Sequence, residues 1–446
     1  MLRTTAAVIA GKAARTAARL RGGGTGGSAL PGLVAERVDP GFLAHALRDV
    51  PQVVVVSGTN GKTTTTKMLV ALLRAHGKQV FTNPTGSNFT RGVISAMLAE
   101  LPLRGRLQAD LAVLELDEAH ALHFAKAVAP THALLLNVAR DQLDRFAEID
   151  HTARLLSTLA GQTTTGVVLN VDDPYVNRIA ADLAPGVEVH WFGLDESIAD
   201  RLGELQEQDV REQAEYTPPA AGTGDGFLRP VDEQQLEILF GRQGEGGSVG
   251  PVTLRQRGLA AMINATAATT TARMLLGGSF RPDAAEQALR TVQPPFGRGE
   301  VIDADGQPLE LVLVKNPAGF TVALSTYGGT PSATMIAIND DYADGRDVSW
   351  LYDVDFSSLR DKGVALTSGV RGWDMALRLQ YDDVPVGATE TDLEQALTSF
   401  LADHRDEPKR IFTSYTAMLT LRRLLSQRYD LPEMGQDAQD SKEVGA

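Results

Sequence analysis

Cysteine is entirely absent from this sequence of 446 residues. A chain without thiols has no disulfide framework, no thiolate zinc site, no iron–sulfur cluster and no cysteine nucleophile of its own. Positive charge is also scarce, because 42 lysine and arginine residues face 56 aspartate and glutamate residues, for a formal net charge of -14. Such a balance argues against a general affinity for nucleic acid, so any anionic ligand has to be held by a local site.

Long hydrophobic runs are missing as well. No apolar stretch approaches the ~20 residues that span a bilayer, which predicts a soluble, cytoplasmic protein. The first 21 residues carry five basic side chains and no acid, namely Arg3, Lys12, Arg15, Arg19 and Arg21. We interpret them as a basic helix that packs on the body of the protein, followed by a flexible glycine-rich stretch at residues 22–27. Weak attraction to anionic lipid is the alternative, so we expect at most peripheral membrane contact.

Alternating β-rich and helical patterns dominate what is present. The composition, 43% hydrophobic and 22% charged, is that of an ordinary globular protein, and the length predicts two or three domains. From residue 53 onward the alternation indicates an α/β fold, with βαβ units around a parallel sheet. Ligands of such sheets sit beyond the carboxyl ends of the strands. We predict a helix at residues 62–75 and strands at residues 53–56, 111–116, 133–137 and 167–170.

Changes of composition indicate the domain boundaries. We predict an N-terminal segment at residues 1–50 and a central domain at residues 51–297. Within it, the polar stretch at about 197–250 is either a loose insertion or a small polar subdomain, and a helical pattern resumes at 259–276. A second, smaller α/β domain of Rossmann-like type follows at 298–431, with a disordered tail at 432–446. Its strands are predicted at residues 311–314, 334–338, 364–367 and 410–412.

The strongest motif is S-G-T-N-G-K-T-T at residues 57–64, between the first predicted strand and the helix. Glycines let a backbone approach a phosphate, the helix N-terminus directs free N–H groups at it, and the lysine supplies a full positive charge. The Thr63 hydroxyl is of the type that ligates Mg²⁺ beside the β- and γ-phosphates. Val56 stands where G-x-x-x-x-G-K-[ST] would place its first glycine. The phosphate-binding candidates are Gly58, Thr59, Asn60, Gly61, Lys62, Thr63 and Thr64.

The octapeptide resembles the phosphate loop of the Mur ligase family, ATP-dependent enzymes that join a carboxylate to an amine through an acyl phosphate. Residues 170–174, N-V-D-D-P, are similar to the N-x-D-D-P turn of that family. The resemblance implies that Glu115, at the end of a predicted strand, holds Mg²⁺ together with Thr63. It also implies that Asn264 meets the adenine ring and that Arg298 reaches ATP from the domain junction.

Two stretches of the second domain resemble one branch of the family. Residues 315–319, K-N-P-A-G, and residues 343–350, A-D-G-R-D-V-S-W, are similar to the C-terminal domain of the MurT family, the synthetase subunits of lipid II isoglutaminyl synthase. Only 57 residues precede Gly58, too few for the UDP-binding domain with which amino-acid-adding members begin. Gln142 stands where those members usually place a histidine. Several MurT proteins carry a four-cysteine zinc ribbon, so this cysteine-free chain is expected to be a zinc-free variant.

The resemblance implies a complete reaction. With ATP and Mg²⁺, the enzyme would phosphorylate the α-carboxylate of D-glutamate in the stem peptide of lipid II, and ammonia would displace phosphate to leave D-isoglutamine. Lys62 would act catalytically by neutralising the transferred phosphoryl group. A glutaminase subunit resembling GatD would supply ammonia within a heterodimer, with Asp347 orienting the histidine of that partner. Such an enzyme works at the inner face of the cell membrane, and the acceptor-binding candidates near the phosphate loop are Gly86, Ser87 and Asn88.

Two other functions stay open on the sequence. An amino-acid-adding ligase of the folylpolyglutamate synthase type shares the same phosphate loop. A nucleotide-binding scaffold without chemistry of its own is the second, but a scaffold has no need of a metal site at the γ-phosphate such as Thr63 and Glu115 would form.

Overall fold

A run of four valines forms the middle of β1 (Gln52–Ser57), a strand whose Val53–Ser57 portion is buried. The structure is a computed structural model that describes residues 2–20, 29–83, 89–139, 149–204, 220–295, 297–328 and 331–431. Helices cover both faces of the sheet around β1, which explains why its sequence is continuously apolar rather than alternating.

The central sheet of the described residues has nine strands in the order β2-β3-β1-β4-β5-β6-β7-β8-β9. Its first seven strands pair in parallel, and β8 and β9 add to the edge as antiparallel strands. After β1 the strands are β2 (Val80–Thr82), β3 (Leu111–Glu115), β4 (His132–Leu135), β5 (Gly166–Asn170), β6 (Glu188–Leu194), β7 (Gly226–Pro230), β8 (Gln235–Phe240) and β9 (Ser248–Thr253).

Helices pack on both faces of this sheet. One face carries α1 (Leu2–Leu20), α2 (Leu30–Val38), α3 (Phe42–Leu47), α5 (Thr90–Glu100), α6 (Glu118–Ala127), α7 (Ile149–Gly161) and the short α8 (Pro174–Asn177). The other carries α4 (Lys62–Ala75), α9 (Leu259–Leu276) and α10 (Pro282–Thr291). Threonines let the middle of α9 lie buried, because the hydroxyls of Thr266, Thr269 and Thr270 donate hydrogen bonds to carbonyls one turn earlier. Among the described helices, none combines the length and apolar character required to cross a bilayer.

A second sheet, in the order β10-β11-β15-β12-β13-β14, makes up the C-terminal domain. Only β10 runs antiparallel to its neighbour, and the other described pairs are parallel. The strands are β10 (Arg298–Ala304), β11 (Gln307–Leu313), β12 (Ala333–Ala337), β13 (Val364–Ser368), β14 (Val386–Glu390) and β15 (Lys409–Thr413). Its helices are α11 (Pro317–Tyr327), α12 (Gly372–Tyr381), α13 (Leu393–Asp403) and α14 (Tyr415–Ser426).

The predicted α/β class with a parallel central sheet and a second α/β domain is confirmed. The prediction for the polar stretch at residues 197–250 differs from the structure, since β7, β8 and the first half of β9 lie there and extend the central sheet. Inward-facing side chains such as Leu236 and Ile238 are fully buried, while charged residues occupy the outer positions and mask the pattern. The tail at 432–446 lies outside the described residues.

Candidate functional site

The loop between β1 and α4 has a backbone that only glycine adopts without strain. Gly58 has a φ of 131° and Gly61 a φ of 86°, both in the left-handed region. A Cβ atom on Gly61 would collide with the side-chain oxygen of Asn264, which reaches over from α9. The loop therefore leaves its backbone uncovered at the first turn of α4, as an anion-binding site at a helix N-terminus requires. Asn264 lies against this part of the loop.

Asn137, just after β4, holds this loop in shape. Its side chain accepts a hydrogen bond from the Asn60 N–H at 2.9 Å and donates one to the Asn60 carbonyl at 3.0 Å. Its backbone carbonyl accepts the N–H of Thr59 at 2.9 Å. The sequence predicted a strand at residues 133–137 and missed this role, because an amide at the end of a strand carries no sign of its partner 77 residues earlier.

Lys62 is buried and held by oxygen atoms on several sides. Its Nζ lies 2.6 Å from the carbonyl of Gly58, 3.2 Å from Oε1 of Glu118 and 3.3 Å from Oδ1 of Asp117. Glu118 is itself buried at the start of α6. Burying a lysine is costly unless its charge is paired, so these carboxylates keep the ammonium group in place beside the loop. The sequence did not assign a role to Asp117 or Glu118.

Thr63 and Glu115 meet as the sequence predicted. The Thr63 hydroxyl donates to Oε1 of Glu115 at 2.9 Å, and both side chains are buried. Asn83 fixes the end of β3 by accepting the N–H of Glu115 and donating to its carbonyl, each at 2.9 Å. The pair presents hard oxygen donors, the ligands that Mg²⁺ prefers. Among the described residues, no group of three or more histidine, aspartate or glutamate side chains is placed to hold a metal ion.

A cleft of about 190 Å³ opens from this loop towards the C-terminal domain. Asn264 and Asn60 line it on one side, and Lys315 and Tyr327 line it on the other. A nucleotide placed on the phosphate loop would therefore extend between the two domains. The remaining wall includes Gly61, Thr64, Asn137, Asn170, Asp172, Gln256, Arg257, Gly299 and Gly319.

Two contacts join the domains beside the cleft. Asn316, fully buried, caps α11 by accepting the Gly319 N–H at 2.7 Å and donates its amide to Oδ1 of Asn60 at 3.1 Å. Arg257 lies 3.7 Å from Glu310 of β11, which also pairs with the buried Arg410 at 2.6 Å. The phosphate loop is thus tied directly to the C-terminal domain.

The turn at residues 170–174 borders the same cleft. The Asp173 side chain caps α8 and accepts the Val138 N–H at 2.7 Å, while Asp172 accepts the Leu194 N–H at 2.7 Å. Burial raises the pKa of Asp172 and of Asp173 to about 6, since backbone donors only partly offset the loss of water. Two carboxyl groups here consequently titrate close to neutrality.

The other predicted residues are placed as follows. Arg298 begins β10 opposite Val312, and its side chain is not among those described. Gly86, Ser87, Asn88 and Gln142 lie outside the described residues. Asp347 is exposed in the loop after β12 and accepts the Ser349 N–H at 2.8 Å. Hydrogen bonding from the Ser349 side chain, together with this N–H, lowers the pKa of its carboxyl group. It is not among the residues that line the cleft.

Comparisons with known proteins agree with this architecture. Residues 56–225 match the Mur ligase middle domain and residues 313–418 match the MurT ligase C-terminal domain. The chain resembles the solved structure of MurF ligase from Thermotoga maritima in complex with ADP, with a TM-score of 0.63 at 16% identity over 89% of this chain and 85% of that one. That likeness shows the fold.

Sequence relatives cover the chain almost completely. The lipid II isoglutaminyl synthase (glutamine-hydrolyzing) subunit MurT of Streptococcus pneumoniae is 32% identical over 96% of this chain and 98% of its own length. The protein of the same description from Staphylococcus aureus (strain COL) is 27% identical over 96% and 99%. On this full-length similarity, with both domain matches in order, the chain belongs to the MurT family of Mur ligases.

Proposed function

We propose that this ligase amidates the α-carboxylate of D-glutamate in the stem peptide of lipid II, using ATP, Mg²⁺ and ammonia from a partner glutaminase. The observation that carries the proposal is the phosphate loop with buried Lys62 and the Thr63–Glu115 pair, opening on a cleft between two domains. The full-length similarity to MurT subunits supports the choice of acceptor.

Charge and geometry at the loop support a reaction in two steps. The carboxylate oxygen attacks the γ-phosphorus of ATP, ADP leaves, and an acyl phosphate forms. Ammonia then adds to the acyl carbon, inorganic phosphate leaves, and the nitrogen releases one proton as the amide forms. Lys62 neutralises the transferred phosphoryl group, and the family resemblance gives Arg298 the role of a second positive charge on ATP. Mg²⁺ at Thr63 and Glu115 would supply further neutralisation of phosphate charge. Ammonia that arrives unprotonated is already a nucleophile, so no general base is required.

Ammonia has to come from another chain. Free ammonia is mostly protonated at neutral pH, and a chain without cysteine cannot supply the usual Cys-His glutaminase. We infer a heterodimer with a glutaminase resembling GatD, in which Asp347 orients the histidine of the partner and stabilises its protonated form. The exposed position and lowered pKa of Asp347 suit an anion at an interface.

An exposed apolar face on α12 supports a partner for the C-terminal domain. Trp373, Leu377 and Tyr381 recur at every fourth position of α12 and are 67%, 49% and 70% exposed. Arg378, buried on the opposite side, donates to the carbonyls of Leu351 and Val354, so α12 and the segment after Asp347 form one rigid unit. Exposed tryptophan and tyrosine side chains are typical anchors of protein interfaces.

Location and metal content follow from the same proposal. An enzyme that acts on lipid II works in the cytoplasm at the inner face of the membrane. We also infer that the chain holds Mg²⁺ and no zinc, because no cysteine is present to form a zinc ribbon. Elemental analysis of the purified protein tests this, and a stoichiometric zinc signal would contradict it.

Mass spectrometry of lipid II after incubation with ATP, Mg²⁺ and either ammonium or glutamine tests the reaction. Amidation replaces OH by NH₂, whereas an amino-acid-adding ligase, the alternative, attaches a whole residue. Lys62→Ala should abolish product from both nitrogen sources, while Lys78→Ala, which removes an exposed lysine, should not. Phosphate release that depends on the acceptor would exclude a nucleotide-binding scaffold without chemistry of its own, whereas no phosphate release and no product would favour such a scaffold.

The partner role of Asp347 needs its own comparison. Asp347→Asn in the complex should abolish glutamine-dependent amidation and spare the ammonium-driven reaction. Asp355→Asn is the matched control, because Asp355 caps a neighbouring turn in the same way, at 2.8 Å from the N–H of Ser357. Equal loss of both activities in Asp347→Asn would contradict the assignment.

A further inference from the structure

Helix α1 presents an apolar face to solvent, the reverse of an ordinary surface helix. Its inner side is packed on α2 and α5 through Ala7, Val8 and Gly11. A helix that only covers the body would turn polar residues outward. Instead, the outer stripe is Leu2, Ala6, Ile9, Ala13 and Ala17, all exposed at helical spacing.

The orientation of α1 is fixed by side-chain contacts, so this exposure is built into the fold. Arg3 donates to the carbonyl of Val38 at 2.8 Å, and Lys12 donates to the carbonyl of Leu101 at 2.7 Å. Thr4 donates to the buried Asp39 at 2.9 Å. Leu2 and Ile9 consequently remain 91% and 54% exposed.

Neighbouring segments continue the same surface. The loop at residues 101–105 runs along α1, since a Cβ on Gly105 would touch Thr4, and Leu103 and Arg104 at its tip are exposed. Leu30, at the start of α2, is 50% exposed. We name Leu2, Ile9, Leu30, Leu103, Arg3 and Arg104 the α1 surface.

Basic side chains predominate around this surface. No acidic residue occurs before Glu36, although the whole chain has a net charge of -14. Glu36 is paired with Arg91 at 2.8 Å, and Asp39 is buried against His45; Glu100, at the end of α5, is an exposed acid near the loop. Two copies of this chain would repel each other through such basic faces, whereas an anionic lipid surface complements them.

We propose that the α1 surface docks the protein onto anionic phospholipid, with the apolar stripe in the headgroup region and the flanking cations on lipid phosphates. Helices with an apolar face and flanking lysines or arginines lie in the bilayer interface in this way. The proposal goes beyond the amidation chemistry and does not depend on it.

Co-sedimentation with vesicles tests the proposal on the full chain. Wild-type protein should bind vesicles of equal parts phosphatidylglycerol and phosphatidylcholine, bind pure phosphatidylcholine far less, and dissociate as salt is raised. Leu2→Gln with Ile9→Gln should remove most of the binding. Arg3→Gln and Arg104→Gln should each weaken it by about fivefold, the factor for one cation near an anionic surface.

Val231→Gln with Val301→Gln is the matched control, because these valines are 57% and 62% exposed elsewhere on the chain. It should bind vesicles as the wild type does, and unchanged circular dichroism melts establish that all variants fold. Failure of wild-type protein to prefer anionic vesicles overturns the proposal. So does an unchanged affinity in the Leu2→Gln/Ile9→Gln variant, and a shift of oligomeric state in that variant would identify a second copy as the occupant instead.

Discussion

The carboxyl group of Asp172 is ionised at neutral pH, although its burial disfavours the negative charge. Burial raises its pKa from 3.8 to about 6, so the folded state binds the proton more tightly than the unfolded chain. This group therefore contributes stability below about pH 4 that is lost as the pH rises through about 6. Asp172→Asn should stabilise the protein at pH 7 by about 1 to 2 kcal/mol, discounted for partial exposure, and the gain should vanish towards pH 4. Thermal melts of both proteins across this range measure it, and a gain independent of pH would show that the carboxyl charge is not the cause.

Several residues predicted from the sequence to form the site lie close together in the structure. The residues that hold them in place could not be predicted from the sequence. Thr63 and Glu115, both predicted to hold Mg²⁺, are hydrogen bonded to each other, and Asn264, predicted to meet the adenine ring, lies against Gly61. Their roles in binding stay predictions. The sequence predicted no contact for Asn316 beyond its place in the K-N-P-A-G motif. Its hydrogen bond to Asn60 joins residues 256 positions apart and depends on how the two domains meet.

Asn137, which follows β4, holds the backbone of the phosphate loop through its side chain. Asn137→Ala removes two hydrogen bonds from Asn60, each worth about 0.5–1.5 kcal/mol, and releases the loop backbone. We expect ATP affinity to fall by roughly tenfold or more. Isothermal titration with ATP and Mg²⁺ measures the change.

Asn177→Ala is the control for Asn137→Ala. Asn177 is buried, more deeply than Asn137, and donates to the carbonyl of Val171 at 2.7 Å, away from the loop. Its loss should lower the melting temperature while ATP affinity stays unchanged. Equal loss of affinity in both variants would mean that Asn137 acts through general stability rather than through the loop.

Strands were predictable where burial on both faces made them continuously apolar. The runs predicted at residues 53–56 and 167–170 fall within β1 and β5, with one or two residues of difference at the ends. β7 and β8 were missed because each has one exposed face, where Arg229 and Glu237 interrupt the apolar pattern. An acidic composition around them then resembled that of a loop.

At the scale of the whole molecule, the two domains could be predicted from the repeated alternation of strands and helices, but their contact could not. The ion pair of Arg257 with Glu310 and the bond of Asn316 with Asn60 join residues 53 to 256 positions apart, and no local pattern encodes such pairs. The cleft that they border exists only because both domains are present.

The Asn316–Asn60 bond offers a test of whether the domain contact serves catalysis. Asn316→Ser keeps a hydroxyl to cap α11 but is too short to reach the loop, and Asn60→Ala removes the acceptor without touching the cap. If the bond aligns the domains over bound ATP, each single variant should lower kcat/KM for ATP, and the double variant should lower it little further. The expected coupling is about 0.5–1.5 kcal/mol, the net value of one hydrogen bond.

Asn316→Ser should melt close to the wild type, whereas Asn316→Ala should lose a further ~1 kcal/mol of stability with the cap. Strictly additive effects on kcat/KM would mean that the two amides act independently, and the bond would then be a contact of the resting structure without a part in turnover.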